Sequence, residues 1–310
     1  MSDEIILGLE WGLAALRAHW IAPDGHRLAT IGETFALDPR DRPTAEARLK
    51  SVLDRGPVPV RTGVLCGMGA ALFEGDVPWL RTLCPATPEQ LGPDLVFQTF
   101  AGVDLGVSRG LRCLSLFGDP DVLRGEEAAA LGLIDRQSGP GVLLSVPGRH
   151  GKWIVYDAGA IQSFHTAMTV ELRQLLAQHS IVGRGWTPDG RAGPAFFAGL
   201  ERGLAGHGLP RAAFVLRSAV VAGDQTAAEA GDAAWGLLIG ADLGDTLPKL
   251  RQALGDVPVT VAGTPSVAAL YRAALIHIEV TVSIADADDL AARGLRRLWT
   301  EAGRHQVQAA

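Results

Sequence analysis

Ser145-Val146-Pro147-Gly148-Arg149-His150-Gly151-Lys152-Trp153 is the stretch on which the reading of the fold turns. An apolar run, Val142 to Val146, leads into it, and a second, Trp153 to Tyr156, leads out. The Pro-Gly break between them marks a turn, and the turn carries Arg149, His150 and Lys152. A strand that ends in a glycine turn beside cationic side chains can cradle an anion. The chain has three lysines, Lys50, Lys152 and Lys249, against twenty-five arginines, so a lysine in this turn stands out. Taken alone, the stretch also reads as a hairpin turn with solvated charges, and its setting has to decide.

C-terminal to this turn, Trp153–Tyr156 and Ile161–Phe164 form a predicted hairpin across Asp157-Ala158-Gly159. Thr166–Gln178 has helical spacing with Leu172, Leu175 and Leu176 on one face; Ala195–Leu204 and Thr226–Leu243 are further predicted helices. Val257–Val261 is a strand closed by Ala262-Gly263-Thr264-Pro265-Ser266. Proline suits the first helical position, so Pro265–Leu275 is read as a helix. Ile276–Val282 is read as the last strand and Asp286–Thr300 as the last helix.

N-terminal to it, the same pattern appears. Ile5–Leu9, Leu16–Ile21 and Arg27–Ile31 form a predicted antiparallel meander, with Glu10-Trp11-Gly12 at its first turn and an Asp24-Gly25 hairpin signal at its second. Pro43–Arg55 reads as a helix, and Val60–Leu65 as a strand closed by Cys66-Gly67-Met68-Gly69-Ala70. Asp76–Phe100 carries several prolines and reads as loop-rich. Leu111–Phe117 is a strand, and Arg124-Gly125-Glu126-Glu127 opens a helix to Ile134, its acidic first turn suiting the helix dipole. Gln137–Gly141 is the best boundary. The prediction is an α/β protein with an internal duplication: an N-terminal domain, 1–138, and a C-terminal domain, 139–310, whose last helix is a candidate to pack back on the first. A cleft between the halves is the default ligand site.

The totals agree. A chain of 310 residues is comfortable for two domains. Hydrophobic content of 47% with 20% charged residues describes a soluble globular protein. The net charge of −6 argues against a nucleic-acid partner. No apolar run reaches the roughly 18–20 residues of a membrane span, and the acidic N-terminus does not read as a signal peptide. Cys66, Cys84 and Cys113 lack metal-ligand spacing and read as reduced cytoplasmic thiols.

Six segments in order carry a resemblance. They are Leu123–Glu127, Val146–Trp153, Phe164–Leu172, Phe197–Gly203, Gly236–Ala241, and Val261–Thr264 with Tyr271. Together they resemble the 2-dehydro-3-deoxygalactonokinases, members of the sugar kinase, Hsp70 and actin superfamily, over nearly the whole length. The resemblance implies two ribonuclease-H-like (actin-like ATPase) domains with a cleft between them. It also implies transfer of the ATP γ-phosphoryl group to the terminal hydroxyl of 2-dehydro-3-deoxy-D-galactonate, with Mg2+, in galactonate catabolism in the cytoplasm. The implied partners are ATP and a sugar acid, with neither nucleic acid nor membrane, and a homodimer is left open.

The resemblance also implies site roles. Glu10 and Gly12 form the first phosphate turn, with Glu10 where the family has aspartate and reaching a magnesium-bound water. Leu13, Ala14 and Ala15 stand where the family has polar residues. Gly148, Arg149 and His150 form the second phosphate turn, Lys152 neutralises charge developing in transfer, and Arg149 replaces a family threonine. Val170 replaces a family glycine. Glu126 is the candidate base, with Glu127 beside it on the substrate side. Arg124 would fork onto the substrate carboxylate, and Met68 and Gly69 border the cleft. Gly263 and Thr264 form the adenosine-side turn. Two alternatives remain: a non-catalytic sugar-acid or nucleotide sensor on the same fold, motivated by Leu13-Ala14-Ala15 and Arg149, and a related kinase with another sugar substrate.

Overall fold

The structure, a computed structural model, describes residues 4–12, 15–35, 41–67, 73, 82–137 and 139–309. These divide into two compact units. The first comprises Met1–Pro140, Ile154–Phe164 and Asp286–Ala310; the second comprises Gly141–Trp153 and His165–Ala285.

The first unit is built on strands β1 (Ile6–Trp11), β2 (Ala15–Ile21), β3 (Arg27–Thr34), β4 (Thr62–Gly67), β6 (Val96–Phe100) and β7 (Val103–Val107), in the sheet order β3-β2-β1-β4-β7-β6. The expected meander is there: β1 pairs antiparallel with β2, and β2 with β3. β1 then pairs parallel with β4, so both run to the same edge. Helix α1 (Arg42–Asp54) buries Ala45, Leu49 and Val52 in a core with Trp11, Trp20 and Phe100. A small sheet of β5 (Thr82–Leu83), β8 (Leu111–Leu114) and β9 (Pro120–Leu123) precedes α3 (Glu126–Ile134). The region read as loop-rich holds β5, the short helix α2 (Pro88–Leu91) and β6. Among the described residues, Pro85 and Pro93 fall between the elements and Pro88 starts α2, where a missing N–H costs nothing.

The second sheet has the order β12-β11-β10-β13-β14, with β10 (Gly141–Val146), β11 (Gly151–Asp157), β12 (Ala160–Ala167), β13 (Val259–Gly263) and β14 (Val282–Ala285). This repeats the order β3-β2-β1-β4-β7 of the first, so the duplication read from pattern is a duplication of topology. Helices α4 (Thr169–His179), α5 (Pro194–Leu204), α6 (Leu209–Ala222), α7 (Ala227–Leu254) and α8 (Pro265–His277) belong to the second unit. Three expectations are corrected. α4 buries Thr169, Val170 and Arg173, while Leu175 is 44% exposed. α6 lies where no element was expected. The last strand is Val282–Ala285, because α8 carries the apolar run to His277.

Small residues allow close helix crossings. A Cβ on Gly236 of α7 would sit 1.9 Å from the carbonyl oxygen of Phe196 on α5. Likewise, α9 (Ala287–Ala309) meets α3 where a Cβ on Gly294 would sit 1.8 Å from the oxygen of Ala128. Among the described residues, no helix is long and apolar enough to cross a membrane.

Candidate active site

In the first unit, the predicted residues that the structure describes gather at the carboxyl edge of the sheet. The β1–β4 register places Trp11 opposite Gly67. Gly67 has φ +89°, and a Cβ there would lie 2.7 Å from the Trp11 carbonyl oxygen, so only glycine lets these strand ends close up. Gly125 (φ +118°) rests on Gly67: a Cβ on it would lie 3.3 Å from the Gly67 Cα. The loop Arg124–Glu126 is thereby held beside the turn of Glu10 and Gly12, where the Gly12 N–H donates to the Ala15 carbonyl at 2.8 Å.

Cys66 reports the shared environment. Its thiol donates to the Gly125 carbonyl at 3.6 Å. Burial pushes it well above the ordinary range, and the carboxylates of Glu127, Glu10 and Glu126 push it further. Arg124 is pushed down to about 10 by burial, against the pull of Glu127 and Glu126. A half-buried guanidinium short of solvent is suited to a carboxylate partner.

Glu127 is turned into the loop itself. It is fully buried, accepts the Ser108 hydroxyl at 2.7 Å, and accepts the Gly125 N–H on its other oxygen. Each oxygen holds a part of the loop, so Glu127 shapes the backbone between Arg124 and Glu126. Burial raises its carboxyl above the ordinary range.

Glu10 is also engaged. Its oxygens accept Arg17 at 3.2 Å and His19 Nε2–H at 3.0 Å, while His19 Nδ1 meets the Thr30 hydroxyl at 2.8 Å. Burial works to raise the Glu10 carboxyl, but the His19 hydrogen bond and the Arg17 charge outweigh it and hold it below its ordinary value. Glu10, His19 and Asp288 bring ligand atoms within 4.8 Å of one another. Magnesium demands near-octahedral oxygen ligands and keeps waters. Here one donor is an imidazole, and Arg17 already bridges the carboxylates of Glu10 and Asp288, the latter at 3.4 Å. These three groups do not fit magnesium as direct ligands, and the hydrogen bonds of Glu10 to Arg17 and His19 anchor the turn.

The sign of its titration gives a test. A carboxylate with a depressed folded value adds stability above its unfolded value, and that stability is lost as pH falls through the folded value. The melting temperature of Glu10→Gln should therefore lie below wild type at pH 6–7, with the gap closing below about pH 4. A gap independent of pH would mean that Glu10 is not ionised in the fold.

In the second unit, the β10–β13 register sets Val146 opposite Gly263. Gly263 has φ +151°, and a Cβ on it would lie 2.3 Å from the Val146 oxygen. The Thr264 N–H donates to that same oxygen at 3.0 Å, and the Thr264 hydroxyl donates to the Pro147 carbonyl at 3.4 Å. The two glycine turns thus lie side by side at the carboxyl ends of parallel strands, where open α/β sheets bind ligands. α8 starts at this edge, and the first turn of α4 donates the Glu171 N–H to the Arg149 carbonyl at 3.0 Å. Helix N-termini favour anions.

The basic side chains of the turn differ. Arg149 is 59% exposed and meets Glu171 only at 3.8 Å. His150 donates to the other oxygen of Glu171 at 2.9 Å. Lys152 is only 7% exposed, and its ammonium donates to the Thr166 hydroxyl at 2.6 Å. Met68, Gly69, Leu13 and Ala14 lie outside the described residues. Arg17, His19, Asp288 and Ser108 were missed by sequence reasoning. Arg17 and His19 had a signal, since period-two spacing on β2 puts both on one face, and the register sets Arg17 opposite Glu10.

The profile of the 2-keto-3-deoxy-galactonokinase family matches residues 10–298. The chain belongs to this family. It is similar to the 2-dehydro-3-deoxygalactonokinase of Escherichia coli K12, with 30% identity over 293 residues covering 94% of this chain and 96% of the relative. A solved structure assigned as a 2-dehydro-3-deoxygalactonokinase protein from Sinorhizobium meliloti superposes with a TM-score of 0.78 at 24% identity, over 97% of this chain and 99% of that one. The activator of 2-hydroxyisocaproyl-CoA dehydratase from Clostridium difficile, solved with ADPNP, shares the fold at a TM-score of 0.55 and 12% identity, over 98% of each chain. The fold is that of the actin-like ATPases, with two ribonuclease-H-like sheets. As a member of the 2-keto-3-deoxy-galactonokinase family, the protein is a sugar-acid kinase.

Proposed function

We propose that the protein transfers the γ-phosphoryl group of ATP to the terminal hydroxyl of 2-dehydro-3-deoxy-D-galactonate. The observation that carries this reading is the Arg124–Glu126 loop, fixed on Gly67 beside the first turn by Glu127. Arg124 clamps the substrate carboxylate. Glu126 accepts the proton of the hydroxyl as its oxygen attacks the γ-phosphorus, and the bond from that phosphorus to the bridging oxygen breaks to release ADP. Gly148, His150, Gly263 and Thr264 hold the nucleotide, with Lys152 supplying fixed positive charge at the phosphates. Met68 and Gly69 are proposed to border the sugar acid. Its reliance on ATP and a metabolite gives it a cytoplasmic place.

The test is an assay of ADP release with magnesium, ATP and this sugar acid, beside a panel of other sugar acids. Turnover confined to another acid would replace the substrate, and no turnover with any acid would remove the kinase reading. A nucleotide or sugar-acid sensor is the second reading. It is favoured by a first turn whose carboxylate is held by Arg17 and His19 and whose next residues are Leu13-Ala14-Ala15. Ligand binding by calorimetry without ADP release, with turnover restored by Leu13→Ser plus Ala14→Thr, would establish it.

A further inference from the structure

One buried carboxylate in the second unit has no part in the site described so far. Asp242 lies within α7, and its carboxyl is enclosed. Its Oδ1 accepts the indole N–H of Trp153 at 3.0 Å and the Thr246 hydroxyl at 3.3 Å. Its Oδ2 accepts the Tyr271 hydroxyl at 2.5 Å and the Thr169 hydroxyl at 3.3 Å. These donors come from β11, α7, α8 and α4, and all four are neutral groups. Burial raises the carboxyl above its ordinary range, and the hydrogen bonds from Tyr271, Trp153, Thr169 and Thr246 pull it back.

Such a group is a poor device for stability. Burying a carboxylate is costly, and an apolar side chain of similar size often does as well or better. What four convergent hydrogen bonds do provide is direction, since each donor is held at a fixed angle to one point. Three of the donors border the phosphate-side segments. Trp153 follows Lys152 in β11. Thr169 starts α4, whose Glu171 grips the Arg149 carbonyl and His150. Tyr271 lies on α8, which begins directly after Gly263-Thr264. A second layer supports the node: the Trp153 ring stacks on His165 at 6.2 Å, meets the edge of Tyr271 at 6.4 Å, and His165 Nε2 pairs with Thr246 Oγ1 at 2.9 Å.

We infer that Asp242 is a positioning residue for the nucleotide: it locks the Lys152 strand, the start of α4 and the helix behind the Gly263 turn into one arrangement. The inference rests on the kinase reading, because it assigns those three segments to ATP. It predicts an effect confined to the nucleotide half of the reaction.

The experiment measures ADP binding by calorimetry and the KM values for ATP and for the sugar acid, alongside melting temperatures. Tyr271→Phe deletes one donor and keeps the ring; Asp242→Asn keeps the shape and removes the charge. Tyr156→Phe is the control, since its hydroxyl donates to Gln137 Oε1 at 2.6 Å in the other unit. The expected result is ADP affinity weakened about tenfold in Tyr271→Phe and about a hundredfold in Asp242→Asn, as for hydrogen bonds to a charged group. KM for ATP should rise in step, KM for the sugar acid should stay within about twofold, and Tyr156→Phe should leave both unchanged. If Asp242→Asn fails to fold, Tyr271→Phe and Thr169→Val decide. Variants that lower the melting temperature but leave ADP affinity and KM for ATP at wild-type values overturn the inference, as does an equal rise in both KM values. Wild-type protein that binds no ADP overturns the nucleotide reading itself, a result distinct from wild-type binding that the variants share.

Discussion

Lys152→Ala should lower kcat about 100- to 1,000-fold, while KM for the sugar acid stays near wild type. The ammonium is nearly enclosed and is held at 2.6 Å by the Thr166 hydroxyl of the neighbouring strand. It is thus already oriented before substrate arrives, which is the condition under which a charge contributes most to a transition state. Losing one such contact costs about 3–4 kcal/mol. Lys152→Met preserves the volume in the strand and should lose as much rate, which separates lost charge from a hole in the fold. Lys152→Arg should not restore activity, because a forked guanidinium does not fit a point-charge position packed on both faces. Steady-state and single-turnover kinetics with ATP check this. A rate unchanged in both Lys152→Ala and Lys152→Met would leave the lysine as a tie within the hairpin.

The second large effect is expected at the sugar side. Glu126→Gln should reduce kcat by about 100- to 10,000-fold, the usual range for removing a positioned general base, with KM for ATP unchanged. Glu126 is the first residue of α3, set directly after the positive-φ Gly125. Its neighbour Glu127 is the contrast. With both oxygens bound inside the loop, Glu127→Gln should be read mainly in loop stability, through a lower melting temperature and a higher KM for the sugar acid. Should Glu127→Gln lose the greater share of kcat at an unchanged melting temperature, the two glutamates have exchanged roles.

Both effects sit on residues that the sequence made visible, because glycines marked the turns. Pro147-Gly148, Gly125 and Gly263 punctuate apolar runs whose period is clear, so strand ends and the residues beside them could be placed. What the chain did not announce depends on pairing. Arg17 and His19 look like ordinary strand residues until the register sets them against Glu10, and Asp288 reaches that corner only through α9. Asp242 is hidden in a small-residue helix, and its four partners are scattered over more than a hundred positions. The face of α4 was misread because three leucines outweighed one arginine, yet Arg173 is buried with Thr169 and Val170, its guanidinium 4.5 Å from the Trp186 ring centre. The stretch from Ala273 to Ile278 is apolar but for His277 and has no decisive period, so helix and strand competed for it.

The path of the chain through its two units has a consequence for how the protein is made. β1 is synthesised well before α9, and its unit lacks α9 until the whole of the second unit has been synthesised. α9 carries a bond from Arg296 to the Glu4 carbonyl and presents Leu295 to Gly8 of β1, and Asp286 just before it, with Asp288 and Asp289 in its first turn, gives Arg27 its acidic partners. The usual order, in which N-terminal domains fold first during synthesis, is therefore inverted. The second unit, all of whose elements precede α9, can fold on the nascent chain, while the first sheet, whose strands are all made by Val107, waits with its α9 face uncovered. The uncovered face in that interval is the kind of surface that chaperones hold, and termination within α9 would leave it uncovered in the finished chain.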